Sequence, residues 1–437
     1  MTGRARPPIL RLVAFGAIIG IPAALLSLAF FTVAHYLEHF LWTDLPAALG
    51  ADSPPAYLIV GLPVIGALVV AAARVLLPGD GGHNPLAGIT AGPTPVRYVP
   101  GIVLAALGTL GFGLVLGPEA PVMAVGAATG VAISNLARVT ERETNVLAAA
   151  GQFSAISTLF GGPLVGGVMV TEGGIGLGRA LIPLLLPGFV AAALGYLIFV
   201  GLGPLTGAPP PALTVPDLVP LDGLRGIDLV LAIAIGIVAA LLIEAVKRGA
   251  RRLNASGTAR LGTGWRGVTV FLVAGGLAVG LLAAGAEQLG LDSQDVLFSG
   301  QASIPAVASQ TSAVALTTLI VAKAIGYIIS LASGFRGGPI FPALFLGIGV
   351  AAFGVEWFGM SSTLAIAIGA AAGMAAQTRL VLTSMLFASI LVGSAGADAI
   401  PAVVLATVAA YITAAAFEPP PTDDAVAPAA ASASASA

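Results

Sequence analysis

Cysteine is absent from this chain of 437 residues, and charged side chains make up only 9% of it. Without cysteine there can be no disulfide bond, no thiol catalysis and no cysteine-ligated metal site. The three histidines, His35, His39 and His83, leave little for metal chemistry, so neither a metal nor a cofactor is predicted. A net charge of −2, with no large basic cluster, argues against a nucleic-acid partner.

Apolar side chains, glycine and proline are abundant instead. Hydrophobic residues make up 57% of the chain, which also has 58 glycines and 31 prolines. Because apolar runs recur from Ile9 onwards, the sequence predicts an all-α polytopic membrane protein within a lipid bilayer. The run from Leu12 to Val33 is longer than the core of a cleaved signal peptide. Arg4, Arg6 and Arg11 precede or open this run and favour a cytoplasmic N-terminus in the plasma membrane.

Composition divides the chain into five parts. We predict a cytoplasmic N-terminus (1–8), a first membrane half (9–202), a Pro-rich connecting loop (203–226), a second membrane half (227–417) and a disordered tail (418–437). The tail is predicted to be disordered because it contains prolines followed by Ala/Ser repeats.

Both halves begin with long apolar runs and continue with shorter ones interrupted by glycine and proline. A straight span needs about 20 residues, so the shorter runs are predicted to be broken or re-entrant helices buried in protein. Their repetition in corresponding positions favours a site between inverted repeats. Gly126 and Gly130 have the spacing that permits close helix contact. A basic loop is expected between the runs 228–246 and 268–286, and Lys323 is expected to reach towards an interface.

Three Gly/Pro breaks are each predicted to open a helix: Gly81-Gly82-His83-Asn84-Pro85, Gly117-Pro118-Glu119-Ala120-Pro121 and Gly337-Gly338-Pro339-Ile340-Phe341-Pro342. Glycine permits close backbone approach and proline suits a helix start. Converging helix N-termini would bind an anion through backbone N–H groups, weakly enough for the ion to leave again. The candidate anion-binding residues are Gly82, His83, Gly117, Pro118, Ala120, Gly338, Ile340 and Phe341.

Glu119 places a carboxylate between two prolines in an apolar environment. An ionisable residue at membrane depth predicts a functional site. The alternative is a glutamate that caps a helix at the membrane surface.

The motifs resemble those of the CLC family of chloride channels and chloride/proton antiporters. Residues 117–121 are similar to the family's G-(K/R)-E-G-P element, and residues 81–85 resemble G-S-G-I-P. Residues 337–342 resemble G-G-x-F-x-P, with Phe341 one place late. Residues 160–167 are similar to the helix before the family's inner glutamate. The resemblance covers residues 60–415.

This resemblance implies a CLC-like inverted repeat of tilted, broken and re-entrant helices, assembled as a homodimer with one anion pathway in each subunit. It implies that Glu119 is the gating glutamate, which occupies an anion site when ionised and leaves it when protonated or displaced. The backbone N–H groups of Ile340 and Phe341 would then contact the central anion.

The sequence departs from the family pattern at several positions. Gly82 stands where the family has a serine, and Pro118 replaces a basic residue beside the gate. The position of the family's inner proton-transfer glutamate is Gly173, which leaves the preceding Glu172 as the candidate for that role. The pore tyrosine is treated as absent, since Tyr411 lies too early in the chain.

The predicted function is therefore chloride transport gated by Glu119, through a passive channel rather than by an enzyme. One alternative is a chloride/proton antiporter of the same fold, which would also carry protons. Another is a secondary transporter for an organic anion from outside the CLC family. An intramembrane protease using Asp80 is disfavoured, because a second aspartate within a span is missing from the sequence.

Overall fold

A computed structural model describes residues 9–88, 92–173, 181–207, 215–310 and 312–417. The predicted N-terminal segment 1–8 and the predicted disordered tail 418–437 lie outside the described residues. The described chain folds into the following α-helices: α1 (Ile9–His39), α2 (Leu45–Ala48), α3 (Ala56–Leu76), α4 (Val99–Leu110), α5 (Glu119–Ala137), α6 (Glu141–Leu159), α7 (Pro163–Gly173), α8 (Leu181–Leu202), α9 (Gly226–Leu261), α10 (Trp265–Gln288), α11 (Ser293–Val296), α12 (Ile304–Ala308), α13 (Ala313–Ser333), α14 (Ile340–Phe358), α15 (Ser362–Thr378), α16 (Val381–Val392) and α17 (Ile400–Ala415).

Nine stretches within these ranges are long and apolar enough to cross a membrane, which confirms the predicted polytopic membrane protein. Several of the remaining helices are shorter, as the interrupted apolar runs predicted. For example, α7 has 11 residues and α4 has 12, well below the about 20 residues of a straight span.

The helix order of the first half recurs in the second half. Helices α5 to α8 are followed, after a second set of long helices, by α14 to α17, and in both sets the third helix is the shortest. Both α5 and α14 have 19 residues, and each begins directly at a Gly/Pro break. The two breaks that open them therefore occupy equivalent places in the two halves.

Glycines bring the helices after each break into backbone contact. A Cβ atom on Gly126 of α5 would lie 2.4 Å from the carbonyl oxygen of Gly151 on α6. Gly130 lies equally close to α6, with Leu147 O 2.1 Å from such an atom. In the second half, a Cβ atom on Gly373 of α15 would likewise lie 2.3 Å from Ala343 O of α14. The small-residue spacing at Gly126 and Gly130 thus does permit the predicted close helix packing.

The predicted basic loop after residue 246 is wrong, because α9 continues without a break to Leu261. This extension has no proline, and its alanines, arginines and lysine are strong helix formers. Only residues 262–264 separate α9 from α10. The basic side chains of this region therefore lie mostly along a helix.

Candidate anion-binding site

The second and third Gly/Pro breaks meet in the interior of the protein. Gly117 N donates to Gly338 O at 2.7 Å, and Gly338 N donates to Gly117 O at 2.6 Å. This pair forms an isolated antiparallel bridge. The bridge brings the start of α5 beside the start of α14, although more than two hundred residues separate them in the chain.

The side chain of Glu119 crosses from the first of these helix starts to the second. Its Oε1 atom accepts hydrogen bonds from Ile340 N at 2.6 Å and from Phe341 N at 3.1 Å. The residue is fully buried. These two N–H groups belong to the first turn of α14, which has no intrahelical partner for them and where the helix dipole favours a negative charge. The carboxylate thus occupies the place that the sequence predicted for an anion.

Glycines on both sides leave room for the second carboxylate oxygen. A Cβ atom on Gly117 would lie 2.0 Å from Glu119 Oε2, and one on Gly338 would lie 2.1 Å from it. Oε2 is buried and has no hydrogen-bond partner among the described residues. The two glycines therefore form a cradle whose volume is filled by a carboxylate oxygen.

Phenylalanine rings from three segments pack together at the third break. The rings of Phe160 and Phe341 stack with centroids 5.7 Å apart, and Phe387 of α16 meets Phe160 edge-on at 5.1 Å. Phe341 thus contributes its backbone N–H to Glu119 while its side chain anchors the start of α14.

The first break does not open an α-helix, and this part of the prediction is wrong. Pro85–Ala87 forms one 3-10 turn, in which Asn84 Oδ1 accepts a hydrogen bond from Leu86 N. The turn ends at Gly88, whose φ is 83°, a positive value that glycine adopts readily. His83 Nε2 lies 2.8 Å from Gly88 O, so its ring closes this turn.

Two cavities flank the helix that begins at Glu119. The smaller, of about 250 Å³, is bordered by Gly82, His83 and Ala120, among others. The larger, of about 490 Å³, is bordered by Pro339 and Gly173, among others. Both are also bordered by Gln152 of α6, a residue that the sequence analysis did not single out. The predicted anion-binding residues thus fall into two groups. Gly117, Gly338, Ile340 and Phe341 surround the Glu119 carboxylate. Gly82, His83 and Ala120 border the smaller cavity.

Sequence reasoning also missed a cluster of charged residues that joins the first and third breaks. Arg74 Nε donates to Asp80 Oδ1 at 2.8 Å and Arg74 Nη1 donates to Gly334 O at 2.9 Å. Arg336, which is buried, donates to Asp80 O at 2.9 Å and to the Asp80 carboxylate. Asp80 is therefore ion-paired with two arginines, unlike the carboxyl of a membrane aspartyl protease. The position of Arg336, one residue before the third break, is the signal that could have found it.

Three polar side chains at positions i, i+4 and i+7 on α13 form hydrogen bonds with backbone groups outside this helix. Tyr327 Oη donates to Pro339 O at 2.8 Å, and Ser330 Oγ accepts from Val115 N at 3.1 Å. Lys323 Nζ donates to Asp295 O at 2.9 Å and to Leu297 O at 2.5 Å. Lys323 is fully buried, so the expectation that it reaches an interface is wrong. Two backbone carbonyls, at the end of α11 and just after it, accept hydrogen bonds from its ammonium group inside the protein instead.

Glu172 lies at the end of α7, with its carboxylate at the first turn of α16. Oε1 accepts from Leu382 N at 2.9 Å and from Val381 N, while Oε2 accepts from Thr383 N at 3.0 Å and from Thr383 Oγ1 at 2.8 Å. The carboxylate is thus held as a helix cap, and it is Gly173 that borders the larger cavity. Among the described residues, no group of three or more His, Asp or Glu side chains is placed to hold a metal ion.

Comparison with known proteins places these features in a wider context. Residues 83–415 match the family model described as "Voltage gated chloride channel". The protein called "Putative ion-transport protein YfeO" from Salmonella paratyphi A is 30% identical over 339 residues, which cover 76% of this chain and 77% of that protein. The protein of the same name from Escherichia coli (strain SMS-3-5) is 30% identical over 341 residues, covering 76% of this chain and 75% of that protein.

Solved structures with the same fold have lower sequence identity. A slow cyanobacterial Cl⁻/H⁺ antiporter has a TM-score of 0.72 at 19% identity, covering 95% of this chain and 96% of that one. A CLC-type fluoride/proton antiporter has a TM-score of 0.70 at 18% identity, with 94% and 98% covered. A eukaryotic CLC transporter has a TM-score of 0.72 at 18% identity, with 94% of this chain and 72% of that one covered. The predicted arrangement of broken helices is therefore a fold shared with these structures.

Proposed function

Because the chain belongs to the voltage gated chloride channel (CLC) family, we propose that it carries chloride across a membrane along a path that Glu119 gates. The observation that carries this proposal is the Glu119 carboxylate bound to the N–H groups of Ile340 and Phe341. A site that binds a buried carboxylate through neutral donors has the chemistry to bind chloride in its place. The role is transport, not enzymatic catalysis.

In the proposed mechanism, ionised Glu119 competes with chloride for the same two N–H groups. Protonation removes the negative charge and weakens these hydrogen bonds, since bonds to a charged acceptor are roughly twice as strong as neutral ones. Displacement by an incoming anion has the same effect. Once Glu119 leaves, the cradle between Gly117 and Gly338 is open to chloride.

The remaining predicted anion-binding residues line the approaches to this cradle. Gly82, His83 and Ala120 border the smaller cavity, and Pro118 directly precedes the gate. None of these groups places a full positive charge next to Glu119. This fits a site from which the ion must leave as readily as it enters.

We propose that transport is passive. Glu172, the candidate for inner proton transfer, has both carboxylate oxygens engaged by the first turn of α16. Gly173, which borders the larger cavity, cannot exchange a proton. A chloride/proton antiporter is the second candidate, because two of the solved structures with this fold are described as proton-coupled antiporters.

We further propose a homodimer in the plasma membrane, with the N-terminus in the cytoplasm. Helices α8 and α17 occupy equivalent places in the two halves and carry exposed apolar side chains, such as Leu197 and Ile412. Such surfaces suit either a second subunit or lipid. Cross-linking of the purified protein in liposomes would distinguish a dimer from a monomer.

One experiment tests the function and separates the two candidates. Purified protein is reconstituted in liposomes with a chloride gradient, and chloride and pH are recorded together with electrodes. Chloride efflux that requires valinomycin and leaves the pH unchanged supports the passive path. Proton movement against its own gradient, driven by chloride, would instead establish antiport. Absence of any chloride flux would contradict the proposed function itself.

A further inference from the structure

Gln152 borders both of the cavities that flank α5. The smaller cavity and the larger cavity share two bordering residues, Met123 of α5 and Gln152 of α6. The smaller cavity contains predicted anion-binding residues of the first break, and the larger contains Pro339 of the third break. Met123 and Gln152 are therefore the two side chains that both cavities contact.

The position of Gln152 is fixed by close packing of its helix. The preceding residue, Gly151, approaches α5 so closely that a Cβ atom on it would lie 1.9 Å from Gly126 O. Gln152 itself is only 4% exposed. Its Nε2 atom donates to Gly92 O at 3.2 Å. The amide is therefore held in one place rather than free to turn away from the cavities.

The amide group still has hydrogen-bonding capacity for a ligand. A glutamine amide carries two N–H donors, and within the described residues Gly92 O is the acceptor that Nε2 contacts. The thioether of Met123 has no donor. Of the two side chains shared by the cavities, Gln152 is thus the one that can bind an anion.

We propose that Gln152 is a specificity-determining residue that contacts the permeating anion through its side-chain N–H. This proposal rests on the function proposed above and extends it to a second contact, outside the cradle at Glu119. A neutral donor replaces part of the hydration shell of the ion without holding it by a full charge. Strongly hydrated anions such as chloride need that replacement more than weakly hydrated anions such as thiocyanate do.

The test compares Gln152→Leu and Gln152→Glu with the wild-type protein in liposomes at pH 7. Leucine is similar in size but has no donor, and we expect at least fivefold slower chloride flux with a smaller loss for thiocyanate. A glutamate would repel both anions, and we expect tenfold or greater loss of both fluxes. Gln294→Glu, the same change on α11 and away from both cavities, is the matched control and should leave flux unchanged.

Several outcomes would overturn the proposal. Wild-type chloride flux in Gln152→Glu would show that the side chain does not face the path. An equal loss for chloride and thiocyanate in Gln152→Leu would assign it a structural role through Gly92 alone. If Gln152→Leu does not elute as a folded protein, Gln152→Asn, which retains the amide, is compared with Gln152→Glu. Equal chloride flux in these two variants would likewise show that the side chain does not face the path. Absence of flux in the wild-type protein would contradict the proposed function and not this assignment.

Discussion

Gly117 and Gly338 exchange a pair of backbone hydrogen bonds of 2.7 and 2.6 Å. Gly117 lies just before α5, which begins at Glu119, and Gly338 lies just before α14, whose first N–H groups hold the Glu119 carboxylate. The exchange fixes the distance between the carboxylate and its donors. It also brings the two α-carbons against Glu119 Oε2, so that neither position has room for a side chain.

The first prediction concerns Gly338→Ala. The new methyl group would lie 2.1 Å from Glu119 Oε2 and so would occupy the place of the carboxylate or of a chloride ion. Overpacking costs about 1–3 kcal/mol, which corresponds to about five- to 150-fold weaker chloride binding. Titration calorimetry and liposome flux would measure the loss. Gly285→Ala, where nothing lies within 4 Å of the added atom, should behave as wild type.

The second prediction concerns Glu119→Gln and Glu119→Ala. Both remove the negative charge that, in the proposed mechanism, competes with chloride for the N–H groups of Ile340 and Phe341. Because a hydrogen bond to a charged group contributes about 1.5–3 kcal/mol, the apparent affinity for chloride should rise about tenfold or more. Chloride flux should persist and lose its dependence on pH, as recorded in liposomes between acidic and neutral pH. A variant that folds but carries no chloride would show that Glu119 is a substrate ligand or a structural residue.

Much of the fold was predictable from the apolar runs, because each long run is by itself long enough to span a bilayer as a helix. Glu119 was also predictable, since a carboxylate inside an apolar chain stands out against its neighbours. Arg336 and Lys323 were harder to place, because their partners, Asp80 and two backbone carbonyls at the end of α11, are far away in sequence. Gln152 had no local signal, because the cavities that it borders are formed by helices far apart in sequence.

The third prediction concerns Tyr327→Phe. This change removes the hydrogen bond to Pro339 O, leaving a carbonyl at the start of α14 without that donor in a fully buried environment. The loss should reduce the free energy of unfolding by about 1–3 kcal/mol, measured by equilibrium unfolding in mixed detergent micelles. Tyr36→Phe is the matched control. Its hydroxyl donates to Thr206 O at 2.9 Å from an exposed position, so its loss should cost less than half as much.

The fourth prediction concerns Gly82→Ser, which introduces the serine that the CLC family has at this position. We expect that its hydroxyl will not increase selectivity for chloride. Gly82 has φ +98°, and a Cβ atom there would lie 3.0 Å from Ile102 Cγ1. A serine in this conformation is strained by about 1–3 kcal/mol, so we expect lower stability and no gain in chloride selectivity. Gly92→Ser is the control, because Gly92 borders the same cavity without a positive φ and with open space around it. A stable Gly82→Ser protein with increased preference for chloride would contradict this expectation.

The fifth prediction addresses Glu172, on which the choice between passive transport and antiport depends. In Glu172→Gln, one carboxylate oxygen becomes an NH₂ group facing N–H donors of the first turn of α16, such as Leu382 N or Thr383 N. Replacing an acceptor by a donor there should reduce the free energy of unfolding by about 1–3 kcal/mol. Glu287→Gln, near the end of α10, should have little effect in the same unfolding assay. If Glu172 acts as a helix cap alone, chloride flux and its pH dependence will match the wild-type protein once both are corrected for folded protein. Loss of coupled proton movement in Glu172→Gln, with chloride flux retained, would instead assign Glu172 the inner proton-transfer role and establish the antiporter.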